Sequence, residues 1–472
     1  MPIGEQKILT RRSHSSQPSI LVEILPVSEL SRRGFIRAMG LGAAGLAVAP
    51  LAQFYARTSL GAPAFGPGYG PLTPMLPENT ALLPNALSGT PLLSLPKGFR
   101  YWAHSITGQM MDDGFPVPAD HDGMAAFRGP RNTTILVRNH ELSPNQTPPV
   151  VVPDHLKFDS AAVGGTTTLV VDSQGRLLRH FASLGGTIRN CAGGPTPWET
   201  WITCEENVSV PESGNKLTQK HGYNFEVPAN ATGPVEAVPL VGMGRFNHEA
   251  TATDPLTGFV YQTEDRGDSC FYRYRPNQYG NLAGGGVLEA LAVKGKPTLF
   301  TGPNMPPGEP MPVDWVRIEE VDPDEDTLRS EAQAKGAAVF VRGEGAWYGN
   351  GLIYFVSTSG GNAGEGQIWA YDPQSDTLKL VVESPGSTVL DNPDNITVAP
   401  DGRLVLCEDG GGTDRLVGVN SAGELYDIAR NEFDSSEFAG ACFSHDGRFL
   451  FVNSQSKGIT FVIEGPWRKG RP

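Results

Sequence analysis

The stretch Pro400-Asp401-Gly402-Arg403-Leu404-Val405-Leu406-Cys407-Glu408-Asp409 joins a tight turn, a run of β-formers and a pair of acids. A Pro-Asp-Gly turn reverses the chain between antiparallel strands, and the branched residues after it fit a pleated, buried surface. The same theme returns along the chain. Thr134-Ile135-Leu136-Val137 runs into Asn139-His140-Glu141, Thr200-Trp201-Ile202-Thr203 into Cys204-Glu205-Glu206, and Phe259-Val260-Tyr261-Gln262-Thr263 into Glu264-Asp265. Leu352 to Val356 leads into Ser357-Thr358, and Phe449 to Val452 leads into Asn453-Ser454. His445-Asp446-Gly447 and Asp254-Pro255-Leu256-Thr257-Gly258 supply the matching turns, and Thr167 to Asp172, Gln367 to Tyr371 and Leu416 to Val419 are further strand candidates. The runs recur mostly at about 45 to 65 residues, close to the length of a four-stranded blade. The expected fold is all-β: a β-propeller of six blades with insertions between blades. One insertion holds Pro-rich Thr301–Pro312, acidic Glu319–Asp326 and a helical-looking Thr327–Ala337. Its acidic run reads as a solvated loop face.

In a propeller the equivalent strand of every blade ends at one rim of the central channel. If the acidic ends are equivalent, His140, Glu141, Glu205, Glu206, Glu264, Asp265, Glu408 and Asp409 converge on one axis. So many carboxylates cannot stay ionised side by side without cations. The pattern therefore calls for metal.

Composition narrows the function. The 472 residues carry 57 Gly and 40 Pro spread along the chain, which fits many turns between short strands. A net charge of −14 and the lack of a basic stripe argue against nucleic acid as a partner. There is no G-x-S-x-G elbow, P-loop or dinucleotide fingerprint. The five cysteines, Cys191, Cys204, Cys270, Cys407 and Cys442, contain no C-x-x-C pair, and their odd number leaves at least one free or bound to a metal.

At the N-terminus, Ser31-Arg32-Arg33-Gly34-Phe35-Ile36-Arg37 precedes a weakly apolar run from Ala38 to Ala52 broken by Pro50. That run is too short for a good membrane span and reads as an export signal of the twin-arginine kind. The expected layout is an extension and signal over residues 1–57, a linker over 58–90 and the propeller over 91–472. It places the protein in the periplasm or outside the cell, as a monomer without a membrane span after processing, with the twin-arginine machinery as its export partner. That route carries folded proteins, often with a cofactor already in place.

Several residues have ligand character. Asp391-Asn392-Pro393-Asp394-Asn395 offers hard oxygens suited to Ca²⁺, or else an Asx turn opening the next strand. Cys191 lies in Asn190-Cys191-Ala192-Gly193-Gly194, where glycines allow a sharp backbone turn, and a thiolate beside carboxylates suits iron or another transition metal. Cys204 lies inside a strand run and reads as core.

Asn190 to Trp198 followed by Thr200 to Glu206 resembles the signature stretch of the PhoX alkaline phosphatases. So do Gly244-Arg245-Phe246-Asn247-His248-Glu249-Ala250, Arg342-Gly343-Glu344-Gly345, Asp391 to Asn395, and Glu437-Phe438-Ala439-Gly440. The resemblance runs in order over roughly Gly164 to Pro466. It implies hydrolysis of a small phosphomonoester substrate at a central site holding a pair of ferric ions, Fe(3+), and several calcium ions, Ca(2+). It further implies Cys191 as an iron-bound thiolate, with Glu205 or Glu206, one of Glu249 and Glu264, and Glu344 as carboxylate ligands. Asp391, Asn392 and Glu437 would serve calcium, and Arg342 would grip phosphate oxygens. Glu199 stands where the family usually has glycine, and Gly343 replaces a more usual proline between the arginine and the glutamate. These departures bear on substrate choice and efficiency more than on metal binding. The rival readings are a calcium-dependent lactonase or esterase on the same scaffold, and a non-catalytic calcium-binding propeller.

Overall fold

A computed structural model describes residues 68–420 and 423–467. The export signal read between Ser31 and Ala52 lies outside the described residues. The described chain opens with β1 (Leu72–Met75), β2 (Leu93–Pro96) and β3 (Arg100–His104). An antiparallel meander follows: β4 (His121–Arg128), β5 (Thr134–His140), β6 (Gly164–Val171) and β7 (Leu177–Thr187). The next comprises β8 (Asn190–Pro195), β9 (Thr200–Glu205) and β10 (Asn224–Pro228). Then come β11 (His248–Thr253), β12 (Val260–Glu264), β13 (Tyr272–Gln278) and β14 (Asn281–Val293). After β15 (Met311–Arg317) and a short helix α1 (Leu328–Ala334), the chain forms β16 (Gly343–Gly349), β17 (Leu352–Ser357), β18 (Gln367–Asp372) and β19 (Thr377–Glu383). The last two meanders are β20 (Pro393–Val398), β21 (Leu404–Glu408), β22 (Arg415–Val419) and β23 (Leu425–Asn431), then β24 (Phe438–Phe443), β25 (Phe449–Ser454) and β26 (Ile459–Glu464).

The fold is all-β and propeller-like. The first strands of the meanders, β4, β8, β11, β16, β20 and β24, each pack beside the next, and β24 returns to β4. By hydrogen bonding the described strands group into five sheets rather than six, because β15 pairs with both β14 and β19 and fuses two meanders into one nine-stranded sheet. Each neighbouring pair of meanders buries its own apolar layer. Phe271 stacks on Phe355 with ring centroids 4.1 Å apart between the β11 and β16 meanders. Trp102, Met124, Phe449 and Phe451 fill the layer between the last meander and the first. Each large side chain so removed from water contributes about 1.5–3 kcal/mol.

The opening segment closes the ring. β3 pairs with β26 as the outer strand of the last sheet, and β1 and β2 extend the sheet of β23. Residues 68–90 were expected within a linker, yet β1 is hydrogen-bonded there and Tyr69 packs edge-on against Phe99, Tyr426 and Trp467. The folded body therefore begins earlier than residue 91. Polar contacts complete the seam. The buried Arg138 guanidinium on β5 donates to Thr460 Oγ1 on β26 (2.6 Å), to Ser105 Oγ after β3 (3.2 Å) and to Thr167 Oγ1 on β6 (3.0 Å).

The acidic loop Glu319–Asp326 faces solvent as expected, with Glu319, Glu320, Asp324 and Glu325 exposed, and cations pin it in place. Lys220 pairs with Asp322 (3.0 Å), Arg329 with Asp326 (2.8 Å), and the buried Arg245 donates to the Pro323 and Asp324 carbonyls. The helix expected within Thr327–Ala337 is α1. None of the described helices is long and apolar enough to cross a membrane.

Close approach at the axis demands glycine at defined points. A Cβ on Gly194 of β8 would lie 1.9 Å from the Thr251 carbonyl of β11. Gly440 of β24 has φ 66°, and a Cβ there would sit 2.5 Å from the Asp122 carbonyl. Gly440→Ala should therefore cost about 3 kcal/mol through combined strain and backbone clash. Gly233→Ala, in open space, should leave stability unchanged. Equilibrium unfolding in urea checks both.

Candidate metal centre

All of the ring strands break register near their start. The pairing shifts between His121 and Met124, Asn190 and Gly193, His248 and Thr251, Gly343 and Ala346, Pro393 and Ile396, and Ala439 and Cys442. A bulge inserts a residue and re-aims its side chain. The inserted positions carry Asp122, Cys191, Glu249, Glu344 and Asp394, and in the last strand Gly440. Gly123, Ala192, Ala250, Gly345 and Ala441 follow five of them, Asn395 follows Asp394, and these residues line a narrow cavity along the axis with Trp201 and Trp347. Neighbouring second strands fix the bulges. Asn139 of β5 donates to the Cys191 and Ala192 carbonyls (3.0 and 2.7 Å), Thr263 of β12 to the Glu344 carbonyl (2.5 Å), and Asn453 of β25 to the Asp122 carbonyl (2.6 Å).

The result is a crowded acidic centre. Ligand atoms of Cys191, Glu206 and Glu249 lie within 4.8 Å of one another, as do those of Glu249, Glu344 and Asp394. Glu249 belongs to both groups. Glu141, Asp265, Asp409 and Glu437 lie around them and act on their charge. Burial, reinforced by Glu344, holds the Glu249 carboxyl well above the usual carboxylate range, and burial with Asp265 does the same to Glu344. Asp394 is pushed up to about 7 by burial and Asp409. Glu141 is pushed up to about 8 by burial, although Arg189 opposes the shift. The Cys191 thiol is raised by burial and by Glu249, and its Sγ meets only the backbone carbonyls of His248 (3.3 Å), Glu249 (3.5 Å) and Cys204 (3.9 Å). Without cations, burial and mutual repulsion push Asp122, Glu249, Glu344 and Glu437 toward the neutral form. Two positive side chains act on it, Arg189 and Arg342. Arg189 pairs with Glu141 (2.5 Å) and Glu206, and Arg342 with Asp265 (2.8 Å) and Glu344 (2.6 Å).

The structure sorts the acids read from the sequence. Glu206 joins the cluster, whereas Glu205 points away from it. Glu205 accepts from His221 Nδ1 (2.7 Å) and from the backbone N–H groups of Ile188, Gly222 and Tyr223. Glu264 is likewise turned aside, held by the Tyr272 hydroxyl (2.8 Å) and Arg329 (3.2 Å). Glu408 is clamped by Arg415, and His140 bonds to the Ala119 carbonyl and Thr167. The cause is the two-residue period of a strand: of two adjacent residues only one can face the axis. Thus Glu141, Glu206, Asp265 and Asp409 reach the centre while their predecessors brace the sheets. Asp391 lies beside Asp409 at the edge of the cluster, and its backbone N–H donates to Glu408. Asn392 donates its amide to the Thr358 carbonyl (3.0 Å). Glu437 sits against Asp394, Asp409 and Asp122.

Asp122 and Arg189 escaped the sequence reading, and Asp394 was read only within the Asp391–Asn395 stretch, as a calcium ligand or part of an Asx turn. A signal was present. Asp120, Arg189, Arg342 and Asn392 each stand two residues before an axial side chain, and all four adopt φ between 42° and 52°. Left-handed non-glycine residues are uncommon and gather at functional sites. The sequence alone does not display them.

Among solved structures the chain resembles Pseudomonas fluorescens PhoX in complex with vanadate, a transition state analogue, at TM-score 0.61 and 18% identity over 85% of this chain and 98% of that one. A gluconolactonase of Xanthomonas campestris is similar at TM-score 0.40 and 11% identity over 84% of this chain and 98% of its own. Virginiamycin B lyase of Staphylococcus aureus reaches TM-score 0.38 and 12% identity over 78% and 99%. The last two likenesses are too slight to bear on function. No curated protein matches in sequence. The sequence model of alkaline phosphatase PhoX matches residues 79–458, most of the chain, and the protein belongs to the PhoX alkaline phosphatase family.

Proposed function

We propose that the protein hydrolyses phosphomonoesters at a cluster of ferric and calcium ions on the axis of a six-bladed propeller. The observation that carries this reading is the pair of ligand groups sharing Glu249, one of them with a thiol, in a chain of the PhoX family. A ring of six first strands with six equivalent bulges supports the blade count, with β15 as an added strand. The donor set fits the metals. Cys191, Glu206 and Glu249, and Glu249, Glu344 and Asp394, offer the mixed sulfur and oxygen donors that suit iron. Asp122, Glu141, Asp391, Asp409 and Glu437 offer hard oxygens for calcium, and Asn392 keeps its Oδ1 for the same task. Glu205 and Glu264, fully engaged elsewhere, drop out of the ligand set.

When bound, such ions supply charge neutralisation and Lewis-acid activation for in-line displacement at phosphorus. The chain's own part is to place and grip the ester. Arg342 holds Asp265 through Nε and Nη2 and Glu344 through Nη2. Its Nη1 takes no partner among the described residues and is free to donate to a phosphate oxygen. The bulges fix the acids before substrate arrives, so no reorganisation is needed at the moment of reaction.

The same reading places the protein in the periplasm or outside the cell, exported folded by the twin-arginine machinery and working as a monomer on a small-molecule substrate. Besides the paired arginines of the signal, the cysteines support it. All five are buried and unpaired. A chain folded before reaching an oxidising compartment would protect its thiols in this way.

Metal analysis by mass spectrometry alongside hydrolysis of a chromogenic phosphomonoester tests the whole reading. Iron and calcium with turnover are expected; calcium alone without turnover would sink it. Cys191→Ser should lose iron. Arg342→Ala should keep its metals and lose roughly 100-fold or more in turnover.

Chelation has a pH signature. Carboxyls raised in the folded state stabilise it while protonated, and that stability is lost as pH climbs through the folded values, about 7 for Asp394 and about 8 for Glu141. Buried histidines such as His121 and His140 are held down by burial, and their effect ends near the ordinary histidine value of about 6.5. Above it only the carboxyl effect remains. The chelated protein should lose on the order of 5 °C in melting temperature between about pH 6.5 and 9, with the metal-loaded protein nearly flat. Scanning fluorimetry at matched ionic strength reads the difference.

A further inference from the structure

The role given to Arg342 rests on its place in the repeat, and one other residue occupies that place with the same chemistry. Arg189 precedes Cys191 by two residues, as Arg342 precedes Glu344. Both backbones are left-handed, with φ 46° and 52°. Each guanidinium uses Nη2 to bridge two acids. One acid belongs to its own meander, Glu206 or Glu344. The other ends the second strand of the preceding meander, Glu141 or Asp265. Each also commits Nε, Arg189 to the Glu206 carbonyl (3.2 Å) and Arg342 to Asp265 (2.8 Å). In both, Nη1 takes no partner among the described residues and is not buried. The side chains are 34% and 40% exposed.

Between the two strands that follow these arginines runs β11, which carries Glu249, the acid shared by both ligand groups. The corresponding residue of that strand is Asn247, which donates to Glu206 Oε1 (3.1 Å) and adds no charge. The arginines therefore flank the shared ligand on either side. Among the described residues they are also the cations that act on the axial carboxyls. A protein of net charge −14 needs a local reason to admit a dianion. One guanidinium presents a single fork, whereas a terminal phosphate carries three non-bridging oxygens.

We infer that Arg189 is a second phosphate-binding residue, gripping the substrate opposite Arg342 across Glu249. This inference rests on the phosphatase reading. In the metal-loaded protein Glu206 and Glu344 would hold the ions. Each arginine then keeps one acid, Glu141 or Asp265, as a brace and offers its remaining N–H groups to the phosphate. The competing role is purely one of positioning, in which Arg189 only holds Glu206 in place for metal.

Metal-loaded wild-type, Arg189→Ala, Arg189→Lys and Arg342→Ala proteins separate the two roles. Metal content by mass spectrometry and affinity for inorganic phosphate by calorimetry are the readouts, with KM for a chromogenic phosphomonoester beside them. Arg189→Ala should keep its metals and bind phosphate at least about tenfold more weakly, as expected for loss of one charge-assisted contact. Arg189→Lys, which keeps the charge but not the fork, should fall between Ala and wild type. Where Ala loses metal, the Lys variant decides. Phosphate affinity within about twofold of wild type in a metal-loaded Arg189 variant overturns the inference, as does loss of metal from both variants. If the wild-type protein lacks iron and shows no turnover or phosphate binding, the phosphatase reading itself fails; if it has them and only the Arg189 variants leave phosphate affinity unchanged, the inference fails alone.

Discussion

Carboxyl groups packed around one axis with, among the described residues, a pair of guanidinium groups to balance them set the terms for the rest of this molecule. Burial and mutual repulsion push Asp122, Glu141, Glu249, Glu344, Asp394 and Glu437 toward the neutral form. A fold that merely sought stability would place apolar residues there. Their presence makes sense as a site that cations complete, and the geometry follows from that need. Ligand atoms must come within a few ångströms, so the ring strands must approach closely, and most of them carry glycine or alanine directly beyond the bulge. Gly194, Gly123 and Gly440 are points where that approach leaves no room for a Cβ.

The strain collected at the centre is balanced at the periphery. Four left-handed residues start the ring strands, each costing about 1–3 kcal/mol. Against them stand the apolar layers between meanders, such as the Phe271–Phe355 stack with Phe340 and Trp369 beside it. Closure matters because a ring of sheets with one open seam leaves two unpaired edges. Pairing β3 with β26 removes the seam using the first part of the described chain. Arg138 reinforces it from within, its charge dispersed over hydroxyls and the His121 Nδ1 lone pair (3.0 Å) rather than met by a carboxylate.

The strand repeat was legible because its signals are local. Runs such as Leu404 to Cys407 and Phe449 to Val452 combine strand propensity with turn residues, and both became second strands of meanders. The ring strands beside them were nearly invisible. Asn190-Cys191-Ala192-Gly193-Gly194 has almost no β-propensity and forms a strand only because its neighbours on both sides enforce it. That is why Asp122 was missed, while Glu249 and Glu344 came into view through resemblance to a family and Cys191 through its glycine-flanked thiol as well. The acidic pairs were read as whole units, although the strand period admits only the second member of each pair to the axis. Register is a long-range property, and a bulge that shifts it leaves no mark that propensity can detect.

The two departures from the family pattern fall on opposite sides of this logic. Glu199 occupies the β8–β9 turn with φ 62°, a conformation that favours glycine and costs another residue about 1–2 kcal/mol. That turn lies at the far end of the hairpin from Glu205 and Glu206, so its strain bears on stability and not on the ligands. Gly343 lies between Arg342 and Glu344. A proline there would restrict the arginine's backbone from the following residue. With glycine, the left-handed Arg342 is held instead by its own N–H on the Arg266 carbonyl (2.9 Å), by the Thr358 N–H on its carbonyl (3.0 Å) and by the ion pairs of its side chain. Glu344 keeps its bulge through Thr263 whatever precedes it. Glycine at 343 therefore leaves Arg342 positioned by these contacts and Glu344 positioned by its bulge.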